Sequence, residues 1–106
     1  MAESVSLADV THATFEPLVG QRFVVRWPDV TEELVLSNVK MSPTDGDPRR
    51  KRLPFSLFFK GTTPNLVLNQ QMHPMAHEGL GTLEIFIVPI GQDPDNGTIL
   101  YQAAFS

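Results

Sequence analysis

The sequence predicts an all-β domain, mainly antiparallel: a small six-stranded sandwich or partly open barrel with one short N-terminal helix. Three observations carry this. The 7 glycines and 9 prolines among 106 residues interrupt the chain too often for long helices and suit short strands joined by turns. Between these breaks, apolar residues recur with a period of two, as they do on strands. Finally, Gln92-Asp93-Pro94-Asp95-Asn96-Gly97 is a hairpin turn, with Asn-Gly supplying positive φ angles, so the strands at 81–89 and 98–105 should be adjacent and antiparallel.

In chain order, residues 1–10 form a small, polar N-terminal extension and 11–106 the β domain of a single-domain chain, 1–106, whose 42% hydrophobic content suffices for one core. Thr11 is placed to cap one or two helical turns that Pro17 stops. A first strand over 21–27 turns Phe23 and Val25 to one face and ends at Pro28-Asp29. A second over 31–40 turns Leu34 and Leu36 to one face, and Glu33, Val35, Ser37 and Val39 to the other; the short gap makes the two a hairpin. After a polar loop at 42–48, the third strand, 55–60, points Phe55, Leu57 and Phe59 inward. The fourth, 70–77, is interrupted by Pro74 and is expected at a sheet edge. The fifth, Gly81-Thr82-Leu83-Glu84-Ile85-Phe86-Ile87-Val88-Pro89, is apolar on both faces. It is expected to be the central strand, covered on both sides, with pairing ending at Pro89-Ile90-Gly91.

Composition excludes several classes of function. A formal net charge of -4 lacks the basic footprint of a nucleic-acid binder, and the absence of cysteine removes disulfides, thiolate metal sites and cysteine nucleophiles. The start has no basic region followed by an apolar run, and no apolar stretch reaches the roughly 18 residues that span a bilayer. The expectation is a soluble protein with no membrane partner, cytoplasmic by default, or exported without a signal as part of an assembly.

Few residues suggest chemistry. His73 and His77, with Glu78 adjacent, would share a helix face and could hold zinc, but Pro74 and Gly79 argue against a helix. In an extended chain they share a face about 13 Å apart, too far for one metal, and the plainer reading is two surface or edge-strand histidines. No metal, cofactor or catalytic residue is therefore assigned. Arg49, Arg50, Lys51 and Arg52 hold half of the eight basic residues and could dock an acidic partner, yet they also suit a solvated loop. Glu84, on the face of Phe86 and Val88, is expected at a rim with Arg22, Arg26 or Lys60 as partner. Trp27, Val35, Val39, Phe58, Phe86 and Val88 make an apolar surplus on faces other than that of Phe55, Leu57 and Phe59. Uncovered, it would mark a protein contact, with Trp27 and Phe58 the leading candidates.

Four stretches carry a resemblance. Phe15-Glu16-Pro17-Leu18-Val19-Gly20, Pro54-Phe55-Ser56-Leu57-Phe58-Phe59-Lys60-Gly61, Gly81-Thr82-Leu83-Glu84-Ile85-Phe86-Ile87-Val88-Pro89-Ile90-Gly91 and Tyr101-Gln102-Ala103-Ala104-Phe105 resemble a family of small bacterial domains of unknown function. These motifs are structural, and the resemblance implies no catalytic residue. It suggests an assembly or accessory role beside phage-tail-like or fibre proteins. The function expected is thus a non-enzymatic structural or interaction domain, self-associating as a homo-oligomer or bound to an assembly partner protein. The alternatives are a ligand- or metal-binding barrel using His73, His77 and Glu78, and a docking module using Arg49, Arg50, Lys51 and Arg52.

Overall fold

The computed structural model describes residues 11–41 and 54–105. One α-helical turn, α1 (His12–Phe15), continues as a 3-10 turn over Glu16–Leu18. Six strands follow: β1 (Arg22–Trp27), β2 (Val30–Met41), β3 (Phe55–Gly61), β4 (Gln71–His77), β5 (Gly81–Gln92) and β6 (Ile99–Phe105). The Thr11 N–H donates to Thr14 Oγ1 at 3.1 Å, closing the first turn of α1.

All neighbouring strands are antiparallel, and the sheet closes on itself in the order β1-β2-β3-β6-β5-β4, with β4 returning to β1. The all-β class, the six strands and the short helix are as expected, and of the two expected architectures the chain forms the barrel, fully closed. The first four strands form a Greek key, in which a long connection brings β4 beside β1. In this ring β3 and β4 lie opposite one another, so residues 62–70 must cross the mouth of the barrel to join them.

Closure corrects the placement of β4, which is no edge strand. It pairs with β5 from Gln71–Ile87 to His77–Gly81, and with β1 at Val24–Ala76 and Val25–Met75. Pro74 falls where the ladder to β1 ends, a position that can spare an N–H.

Inward-facing side chains fill the barrel, among them Val25, Leu34, Leu57, Met75, Ile85 and Tyr101. Phe15 plugs the end where β1 begins, its ring 5.9 to 6.5 Å from those of Phe23, Phe55 and Phe105; the Phe55 and Phe105 rings stack at 4.8 Å.

Two β-bulges revise the strand phases. At Ser37 the β2–β3 register slips by one residue, so Val39 turns toward the core rather than outward. Between Pro89 and Gly91 the β5–β6 register slips likewise, and pairing continues through Gly91–Leu100 and Gln92–Ile99 rather than stopping at the proline. Trp27, expected on an outer face, packs against the core, because strict alternation carries it to the side of Phe23 and Val25. No described residue covers the outer face of β5 at Phe86, which is 45% exposed. No helix among the described residues is long and apolar enough to cross a membrane.

With Phe15 plugging the end where β1 begins, Phe15→Ala should cost about 3–5 kcal/mol of stability, the range for a fully buried Phe. Urea unfolding monitored by Trp27 fluorescence measures this, and a loss below about 1 kcal/mol would separate the helix from the core.

Candidate functional site

The mouth of the barrel, where residues 62–70 cross, gathers most of the buried polar groups. Glu32 is 2% exposed, two residues before Leu34 on the inward face of β2. The N–H groups of Thr62 and Thr63 donate to Oε2 at 3.3 and 3.1 Å; the Glu33 N–H and the Thr63 hydroxyl donate to Oε1 at 3.1 and 2.9 Å. The Thr62 hydroxyl lies within reach of both Glu32 Oε1, at 3.1 Å, and the Glu33 carbonyl, at 2.9 Å. These donors replace water around a carboxylate that would otherwise be costly to bury. Gly61 makes room for it, since a Cβ there would come within 3.2 Å of Oε2 and 3.3 Å of the Ile99 carbonyl.

The far part of the crossing is held by Tyr101. Its hydroxyl accepts from the Leu68 N–H at 2.9 Å and donates to the Leu66 carbonyl at 3.4 Å, while Leu68 is buried beneath it. Burial raises the Tyr101 hydroxyl above its ordinary pKa; the Leu68 N–H pulls the other way, and the Glu32 charge raises it further. Asn65, at φ 62°, donates its N–H to the Gly97 carbonyl at 2.9 Å and accepts from Gln92 Nε2 at 2.9 Å, stitching the crossing to the β5–β6 turn.

His73 and His77 both face inward, correcting the expectation of surface side chains; they are 2% and 7% exposed. His73 Nδ1 accepts from Trp27 Nε1 at 2.8 Å, which leaves the ring proton on Nε2 to donate to the Asn69 carbonyl at 2.8 Å. His77 Nδ1 accepts from the N–H groups of Gly79 and Leu80 at 3.0 and 3.1 Å, and its Nε2 donates to Gln21 Oε1 at 2.7 Å. Both nitrogens of both rings are thus engaged. Glu78 is exposed in the turn that supplies the N–H groups to His77. Among the described residues no three or more His, Cys, Asp or Glu side chains are grouped to hold a metal ion.

An open recess of about 380 Å³ lies at the mouth, lined by Trp27, Asp29, Leu66, Asn69, Gln71 and His73 among others. Among the described residues, its ionisable lining side chains are His73 and Asp29. On the outer wall, Met72 and Phe86 face one another across the β4–β5 ladder, 46% and 45% exposed, with Val88 partly exposed beyond them. Phe58, half-buried on β3, also faces outward. Glu84 is exposed beside Phe86 and forms no ion pair among the described residues; Arg22, one of its expected partners, instead pairs with Glu33 at 3.2 Å. Arg49, Arg50, Lys51 and Arg52 lie outside the described residues.

A family model described as a domain of unknown function, DUF6916, matches residues 10–105. The chain belongs to this family. No curated protein and no solved structure matches it significantly. The DUF6916 match spans the whole barrel together with α1, so the plug and the crossing both fall within the family's domain.

Sequence reasoning missed Glu32 and Tyr101. Glu32 was legible in the alternation with Leu34 and Leu36, and Tyr101 in that with Ile99 and Ala103; neither pattern names the partners 62–68 that make them matter.

Glu32→Ala should cost about 2–4 kcal/mol, because it strands the Thr62 and Thr63 N–H groups, whereas Glu32→Gln should cost less. Urea midpoints of the two variants check this. Tyr101 adds a pH dependence. Its folded state binds the hydroxyl proton more tightly than the unfolded chain, so this share of stability is complete below about pH 10 and lost as pH rises through the raised value. Tyr101 is the sole tyrosine, so phenolate absorbance should show a midpoint above the ordinary one in the folded protein, and Tyr101→Phe should flatten the alkaline loss.

Proposed function

We propose that this DUF6916 domain is a non-catalytic interaction module that self-associates, as a homo-oligomer or within a larger protein assembly, through the outer face of β4 and β5. The observation that carries this is the Met72–Phe86 pair. Two large apolar side chains oppose each other on a wall that ought to meet water, with Val88 extending the strip. Aromatic residues and methionine are enriched at protein contacts, and a second copy can lay the same strip against this one about a twofold axis. A closed barrel offers no free sheet edge, so association by added strands is replaced by association through a face.

The histidine-centred alternative is disfavoured by the hydrogen bonds already made. A metal at either ring would have to displace the Trp27 and Asn69 contacts of His73 or the turn and Gln21 contacts of His77.

The test is mass by light scattering over a wide concentration range, with and without a chelator. Mass should grow with concentration irrespective of chelator, and Phe86→Asp should weaken association by at least about tenfold. A strict monomer at every concentration would sink the proposal, and a mass that falls on chelation would restore the histidines.

A further inference from the structure

A second surface lies on the neighbouring wall of the barrel; it shares β5 with the Met72–Phe86 strip, but it is lined by different side chains. A groove of about 290 Å³ runs over the outer wall of β3 and β6, floored by Phe58 and Leu100. Each flank is made by one of the two bulges. Ser37 is the extra residue in β2, and its hydroxyl donates to the Phe58 carbonyl at 3.0 Å. Ile90 is the extra residue in β5 and is turned outward, 49% exposed. Bulges forfeit ladder hydrogen bonds and re-aim side chains; here the two face each other across the β3–β6 pair and raise the walls of one groove.

The groove is also charged in one sense. Lys40 and Lys60 line it, both exposed, and among the described residues no carboxylate does. Neither lysine forms an ion pair among the described residues, in a chain whose formal net charge is -4. An apolar floor between two cations that form no ion pair among the described residues complements one apolar side chain flanked by carboxylates. The volume sits just below the range of small-molecule pockets, which fits a single anchoring side chain better than a cofactor.

We infer that this groove binds a short acidic segment of a partner protein, seating one aromatic or aliphatic side chain over Phe58 and Leu100 while Lys40 and Lys60 hold the flanking carboxylates. Binding of this kind is weak, specific in charge and sensitive to salt, since exposed pairs are screened within about 10 Å at 0.1 M ionic strength.

The experiment titrates the full chain with a terminally blocked peptide carrying phenylalanine between aspartates, alongside the same peptide with asparagines, and follows backbone amide shifts. The acidic peptide should shift the amides of Lys60 and Leu100, and the asparagine peptide should bind more weakly. Joint Lys40→Ala and Lys60→Ala substitution should weaken binding roughly three- to tenfold, as two exposed ion pairs allow. Phe86→Asp should leave peptide binding unchanged, which separates this groove from the self-association surface. Equal binding of both peptides, full binding by the double lysine variant, or shifts confined to the Met72–Phe86 face would each overturn the inference. So would the absence of shifts at saturating peptide concentrations.

Discussion

The carboxylate of Glu32 is the contact on which the topology leans. A ring in the order β1-β2-β3-β6-β5-β4 places β3 and β4 diametrically apart, and the chain has residues 62–70 with which to cross. That crossing is neither strand nor helix, so its backbone groups cannot be satisfied by a ladder. Glu32 takes the N–H groups at its start, Tyr101 takes Leu68 and Leu66 at its far part, and Gly97 takes Asn65 between them. An apolar residue at position 32 would fill the space and leave two N–H groups without partners. A charged acceptor is the better solution, because hydrogen bonds to a carboxylate are stronger than neutral ones.

The same crossing decides how the barrel closes. Having arrived opposite β3, β4 must seal against β1, and the backbone ladder there is the shortest in the ring, Val24–Ala76 and Val25–Met75. Continuing that register by two residues one way sets Trp27 opposite His73, and by one residue the other way sets Phe23 opposite His77. Both pairs are in contact: the indole donates to His73, and the Phe23 and His77 rings lie 4.8 Å apart. Side chains therefore lengthen a seam that the backbone leaves short. This accounts for buried histidines four residues apart on a strand, and for both rings having their nitrogens fully engaged.

Much of this was legible in the sequence, and the exceptions share a cause. The six strands, the Asn-Gly hairpin and the inward set of β3 follow from local alternation and turn chemistry, which need no knowledge of neighbours. Pro74 signalled weak pairing on one side of β4; that signal is the same for an edge and for a short closing seam, and only closure tells them apart. The bulges at Ser37 and Ile90 were invisible because a bulge is a property of two strands in register, whereas alternation is read along one. Val39 and the continuation of β5 past Pro89 were misplaced for that reason. Trp27 was a different matter, since its parity with Phe23 and Val25 was already in the sequence. Glu32 was overlooked because an acid between polar neighbours looks like solvent-facing β2, and its partners are some thirty residues away.

Closure also reallocates the apolar residues that the sequence holds in excess. In a sandwich, a strand apolar on both faces needs two layers of cover; in a barrel, one face is core and the other meets solvent or a partner. Trp27 and Val39 are absorbed by the inside, leaving Met72, Phe86 and Val88 on one wall and Phe58, Leu100 and Ile90 on another. The two walls differ in charge. The first has Glu84 beside Phe86, and the second has Lys40 and Lys60 along the groove. Two copies meeting through the first wall about a twofold axis need to bring only apolar side chains to the centre and can leave Glu84 at the rim. The second wall opposes like charges if it meets itself, a penalty that acidic segments of another protein do not incur. Charge thus distinguishes the two proposed contacts: the self-association we propose uses the first wall, and the acidic segment we infer uses the second.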